Sequence, residues 1–381
     1  MKTHYNIIIA GAGGIAEAAG LILAEWSQVT PTIYIGNRTL TKAEKVANWI
    51  MNGSAKPCKV VGFHLDPLEI SDHAKTIFEN ADALLDCLPG SLAPTMAKLA
   101  NANNLYYANL TEYVAETNQI IDLAKHAKTG FVLQTGLAPG YIDVLAHFMY
   151  QEFCKQHEVD RVEKLELKVG ALTNHAIAPH FYGFTWSPVG VATEYLKDCI
   201  VIRDYKKASR PALSERSRII INGITYEDDL TSGGAADLPD ALSGKVKHLD
   251  YKTLRHPGHY AWIENQLKGL KSTDNPISEL QDIMINNIPN VEDDQIIIYA
   301  AVEGKDAKGI LRRQERANYI KPQQVGKHTL RAIQTTTAAP LVQSIQWLLE
   351  TQPKGVILQS QLDAKSFLNG SFITPVYGSI A

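Results

Sequence analysis

The chain has 381 residues, 45% of them hydrophobic and 20% charged, with 37 basic against 40 acidic side chains and a formal net charge of −3. That length suits two domains, and the scattered, nearly balanced charge excludes the basic footprint of a nucleic-acid binder or a polybasic lipid anchor. No apolar run approaches the roughly 18 residues a membrane helix needs, and four cysteines without a C-x-x-C argue against a disulfide framework or structural zinc and for a reducing, cytoplasmic compartment.

The first stretch, MKTHYNIIIAGAGG, carries one lysine, a short β-branched run and then glycines where a secretory core would continue; Glu17 falls where cleavage would come. It therefore reads as folded protein. YNIIIAG (5–11) reads as a buried strand and GIAEAAGLILAEW (14–26) as a helix. Between them lies G-x-G-x-x-A, formed by Gly11, Gly13 and Ala16. Gly11 permits the tight turn, Gly13 lets backbone approach a pyrophosphate, and Ala16 lets helix pack close to strand. Gly14 and Ile15 complete the helix start, whose free N–H groups point at the phosphates.

PTIYIGNR (31–38) supplies a second strand, TLTKAEKVANWIM a helix, and CKVVGFHL, ADALLDCLPG, NLYYANL and GFVLQTG four more strands. Strand and helix alternate, the pattern of a doubly wound parallel sheet. After the second strand, where an acid usually binds an unphosphorylated ribose, the chain has Asn37, Arg38 and Thr39. The missing carboxylate and the added guanidinium favour NADP, with NAD as the alternative. Leu88, Pro89 and Gly90 close the fourth strand, where they would border the nicotinamide ribose.

Beyond the helical stretch 133–153 and the polar KQHEVD, strands such as KLELKVGA, CIVIRDY and DDQIIIYAAVEG lack regular intervening helices. This reads as an α+β domain on a mostly antiparallel sheet. PLVQSIQWLLE (340–350) is helical again, so the tail is expected to return to the first domain. The expected boundaries are 1–150, 151–330 and 331–381. Handling a proton near neutral pH calls for a carboxylate or an imidazole; Asp143, His175, His180, Glu194, His256 and His259 are the candidates. HPGH offers no helical presentation and no further ligands for a metal, and none is expected.

The pieces GAGGIA, NRTLTKA, LLDCLPG, TGLAPGYID, VGAL, FTWSPVGVATEY and TLRHPGH, in that order, resemble the saccharopine dehydrogenase and lysine 6-dehydrogenase family over nearly the whole chain. The resemblance implies a Rossmann-type domain followed by an α+β substrate domain, and hydride transfer between a C–N bond of an amino acid and NAD(P). It places Trp186 and Arg255 in the amino-acid site, Tyr195 and Glu194 at the end of the same block, and Asp143 in the helix-entry turn. Arg255 suits a bidentate grip on an α-carboxylate. Of these candidates, Asp143, His175 and Glu194 are taken as catalytic.

The chain also departs from the family. It reads Leu137-Ala138-Pro139-Gly140 where saccharopine-type members read Leu-Asp-Pro-Gly, and GVILQSQL lacks their Pro-Glu pair. Asn37–Arg38 differs from the acid of the lysine 6-dehydrogenase branch. Two alternatives remain open. One is an NADP(H)-binding module without turnover. The other is a reductive polyamine–aldehyde coupling enzyme, with Asp228, Asp229, Asp237 and Asp240 as extra carboxylates. A homodimer is expected.

Overall fold

The structure is a computed structural model that describes residues 4–270 and 275–380. The chain divides into two compact units. One runs to Tyr141 and takes back Gln323–Leu330 and the chain from Gln334 onward; the other is Ile142–Pro322 with Arg331–Ile333.

The first unit starts with β1 (Asn6–Ala10), whose three isoleucines are buried on both faces, then α1 (Gly14–Trp26). β2 (Thr32–Asn37), α2 (Leu40–Gly53), β3 (Lys59–His64), α3 (Asp72–Asn80), β4 (Ala83–Asp86), α4 (Ala93–Ala102), β5 (Tyr106–Asn109), α5 (Val114–Ala124) and β6 (Gly130–Val132) follow. The strands lie in the order β3-β2-β1-β4-β5-β6, all parallel. The chain therefore reverses its direction of travel between β1 and β4, the point where such sheets open a crevice beyond their carboxyl ends. One face buries Ile8, Leu84 and Phe131 against α3, α4 and α5. Side chains of this kind contribute about 1.5–3 kcal/mol each when fully buried. On the other face α1 lies against α2 so closely that a Cβ at Gly20 would come within 2.3 Å of the Ile50 side chain.

The second unit holds α6 (Tyr141–His157), β7 (Val162–Thr173), α7 (Pro188–Leu196), β8 (Cys199–Arg203), β9 (Lys206–Arg210), β10 (Ser217–Ile221) and β11 (Ile224–Leu230). It continues with α8 (Leu238–Ala241), β12 (Val246–Arg255), α9 (His259–Gly269), α10 (Pro276–Asn287), β13 (Asp294–Lys305) and β14 (Leu311–Ile320). The sheet order is β10-β11-β12-β7-β13-β14, with β8 also paired to β12 and β9; only β12–β7 is parallel. α6 falls in this unit, so the boundary lies at 141–142 and not at 150. The reason is packing: Phe153 of α6 is buried, and a Cβ at Gly304 of β13 would lie 3.2 Å from its ring. α7, α9 and α10 share a second core through Tyr195, Tyr260, Ile263, Leu280 and Met284.

After β14 come β15 (Gln323–Val325), β16 (His328–Leu330), α11 (Ala332–Thr351), β17 (Gly355–Ile357) and two short helices, α12 (Ala364–Leu368) and α13 (Thr374–Tyr377). β17 adds a seventh parallel strand beyond β6.

Candidate active site

In the first unit three loops meet at the carboxyl ends of β1, β2 and β4. The chain leaves β1 through Gly11 at φ +122°, and a Cβ there would lie 2.9 Å from the Cys87 carbonyl oxygen. Both facts demand glycine. Gly13 begins α1 with extended backbone, and a Cβ on it would meet nothing within 4 Å. The first helical bond runs from the Glu17 amide to the Gly13 carbonyl at 3.0 Å, which leaves the amides of Gly14, Ile15 and Ala16 outside the helical ladder. Gln334 of α11 donates to the Gly14 carbonyl at 3.0 Å and braces this turn.

After β2, the Asn37 side chain accepts the Thr39 amide at 2.9 Å. Arg38 and Thr39 are exposed, and Arg38 has no ion-pair or hydrogen-bond partner among the described residues. After β4, the Leu88 amide is held by Asp86, and a Cβ at Gly90 would lie 2.4 Å from the Thr111 hydroxyl. Open space over Gly13, outward amides at a helix start and an unengaged guanidinium beside β2 fit a dinucleotide.

The second unit gathers a polar cluster where β12 ends. Arg255 is 1% exposed; its Nε donates to the Tyr195 hydroxyl at 2.8 Å and Nη1 to the Leu254 carbonyl at 3.1 Å. Its guanidinium lies 4.9 Å from the Tyr182 ring and 5.7 Å from the Tyr195 ring. Nη2 is buried without a hydrogen bond, 3.9 Å from Glu194 Oε2. Tyr195, accepting from Arg255, donates in turn to His259 Nε2 at 3.0 Å, so the His259 proton sits on Nδ1 and goes to the His180 carbonyl at 2.7 Å. Burial, and then the positive Arg255, hold the His259 pKa well below the ordinary histidine value and keep the ring neutral.

Five of the expected residues, Arg255, Tyr195, Glu194, Trp186 and His259, thus share one neighbourhood. Arg255, Tyr195 and Glu194 meet directly, and the half-buried Trp186 packs on Gly190 in the same core. Asp143 is fully buried in the first turn of α6 and acts electrostatically on Tyr251 of β12. His175 follows the end of β7, where its amide donates to the Thr173 hydroxyl at 3.0 Å and His256 meets the Thr173 carbonyl at 2.9 Å. His175 is exposed, and its Nδ1 is 2.6 Å from Asp293 at the end of a loop. Asp228 is neutralised by Lys168 at 2.8 Å and Lys252 at 3.1 Å, Asp229 pairs with Arg216, and Asp240 with Lys207. Among the described residues no group of three metal-ligating side chains occurs. His259, a sequence candidate for proton transfer, and Tyr182 are central here; in sequence Tyr182 reads equally as a core aromatic or, with Trp186, as a wall of an amino-acid site.

A glycine turn at the switch point of a parallel sheet, in a chain whose second unit is built on a mixed sheet, marks the class of two-domain proteins that bind a dinucleotide. The chain belongs to the saccharopine dehydrogenase family: residues 7–133 match its NADP binding domain and 136–374 its C-terminal domain. Its fold is similar to that of saccharopine dehydrogenase (L-Glu forming) from Saccharomyces cerevisiae, at 13% identity, TM-score 0.72 and 98% coverage of both chains. Homospermidine synthase from Legionella pneumophila, solved with NAD, is also similar, at 13% identity and TM-score 0.68, over 99% of this chain and 90% of that one. Among the described residues no helix is long and apolar enough to cross a membrane.

Proposed function

We propose that the protein is an NADP-linked oxidoreductase acting on the C–N bond of an amino acid such as lysine, saccharopine or a related amine. The observation that carries this reading is Arg255: a buried, permanently charged fork with one nitrogen lacking a hydrogen bond suits the α-carboxylate of an amino acid. Tyr182 and Trp186 flank it with apolar surface for an aliphatic chain. Glu194, near Arg255, and the buried Asp143 are the carboxylates proposed to take the proton that an amine must lose before oxidation, with the exposed, Asp293-bonded His175 as the third candidate. NADP supplies the hydride acceptor, held by Gly11, Gly13 and the amides of Gly14–Ala16, with Arg38 on the 2′-phosphate.

A polycationic substrate is the weaker reading, because Asp228, Asp229 and Asp240 already pair with internal lysines and arginines. The four unpaired cysteines suit the cytoplasm, and a homodimer, checked by sedimentation, completes the proposal. Two variants test the assignments. Arg255→Lys keeps the charge and loses the fork, so kcat/KM for the amino acid should fall on the order of 100-fold at unchanged cofactor affinity. Arg38→Ala should weaken NADP binding about tenfold and leave NAD untouched. Unchanged kcat/KM in the first variant would remove the carboxylate role.

A further inference from the structure

At the end of β4 the Asp86 carboxyl is 2% exposed, in register with Ala10 of β1 and Asn109 of β5. Its Oδ1 accepts the Leu88 amide at 3.0 Å and its Oδ2 accepts the Tyr107 hydroxyl at 2.8 Å. Among the described residues it forms no ion pair with any lysine, arginine or histidine. What faces it from β1, from β5 and from the turn after β4 is Ala10, Tyr107, Asn109, Cys87 and Leu88, none of them cationic. The two titratable neighbours are themselves acids, and burial raises the pKa of both. Burying an ionised carboxylate without a cation is expensive. Burial accordingly pushes Asp86 up to about 6, which leaves it ionised at pH 8 and largely neutral at pH 5.

The dinucleotide brings the missing charge. With its adenosine end at β2 and its pyrophosphate at the start of α1, the other half extends toward β4 and the Leu88–Gly90 turn that Asp86 holds. A nicotinamide ring is positive when oxidised and neutral when reduced. We infer that Asp86 sets the redox preference of the bound cofactor, its uncompensated carboxylate favouring the oxidised, cationic form over the reduced one. The inference rests on the dinucleotide reading of this crevice and deepens it, because a site biased toward the oxidised cofactor is poised to take hydride from an amine. The Tyr107 hydroxyl also lies 3.3 Å from the Ala93 carbonyl. When Asp86 is protonated, Tyr107 can accept its proton in a hydrogen bond and donate to Ala93, so the neutral state needs little rearrangement.

The test is binding alone. Dissociation constants of NADP+ and NADPH are measured separately by calorimetry on the full chain at pH 8 and 5.5, for wild type, Asp86→Asn and Tyr107→Phe. The 2′-phosphate titrates alike in both forms and cancels in their ratio. At pH 8 the wild type should prefer NADP+ over NADPH on the order of tenfold more than Asp86→Asn does, the size expected of one partly screened charge. At pH 5.5 that difference should shrink severalfold. Tyr107→Phe removes a donor to the carboxylate, so its preference should fade at higher pH than in wild type. Equal ratios in wild type and Asp86→Asn at pH 8 would overturn the inference while leaving the cofactor site standing. Equal weakening of both forms would overturn it too, showing that Asp86 only positions the turn. Should Asp86→Asn fail to fold, an unshifted pH profile in Tyr107→Phe overturns it alone. A wild type that binds neither form would fail the dinucleotide reading itself.

Discussion

Asp86 and His259 each hold a charge state against the solvent, and each leaves a mark on stability. The Asp86 pKa rises from the ordinary carboxylate value to about 6 on folding, so between roughly pH 4 and 6 the folded state binds the extra proton. Its contribution to stability is therefore lost as pH rises through that window, by about 3 kcal/mol. Urea unfolding at pH 4.5 and 7.5 should show Asp86→Asn gaining on wild type by about 2 kcal/mol at the higher pH, since part of the change lies below pH 4.5. His259 runs the other way. Its folded pKa lies well below 6.5, so the unfolded chain takes up a proton that the native ring refuses, and stability falls as pH drops below about 6.5. His259→Gln should flatten that slope by about 1.4 kcal/mol per pH unit, read from the same unfolding curves.

Asp86 was not legible in the sequence, and His259 was legible only as one of six candidates for proton transfer. LLDCLPG reads as a strand closing in a turn, and an aspartate at a strand end ordinarily faces water; only the pairing with β1 and β5 turns this one inward. Gly11 and Gly13 were legible because spacing alone fixes their mechanical role. The proposed site role of Arg255 rested in the sequence on the family resemblance alone, since a strand-end arginine usually reaches solvent. His175 shows the limit from the other side: two histidines close in sequence suggested chemistry, and Asp293, more than a hundred residues away in the chain, engages the first at the surface.

At the scale of elements, the loops at the carboxyl ends are held by backbone contact. Gly90→Val would drive a side chain into Thr111 and Tyr113, so cofactor affinity should fall at least tenfold while the far-ultraviolet spectrum stays close to wild type. β17 closes the sheet edge beside β6. A chain ended after Thr351 should expose that edge and aggregate, which light scattering during refolding would report. The β1–β6 series was legible because buried parallel strands read as uninterrupted apolar runs. β17 was not, since three residues between Pro353 and a polar stretch carry no period. β9 and β14 escaped for a related reason. Their sequences, KKASR and LRRQERANYI, are largely exposed and show no alternation.

For the whole molecule, the change from regular strand–helix alternation to sparse helices marked two domains, and the family models cover both. The position of α6 was hidden because an apolar helix does not announce which sheet it covers; Phe153 against Gly304 decides it. The proposed reaction is oxidation of an amino-acid C–N bond by a nicotinamide cofactor, and one assay addresses it most directly. The absorbance of reduced nicotinamide is followed at alkaline pH with NADP and, in parallel, lysine, saccharopine or buffer. The signal should grow with at least one of the two amino acids and stay at baseline in buffer. Flat traces in all three, from a protein that binds NADP by calorimetry, would contradict the proposed reaction.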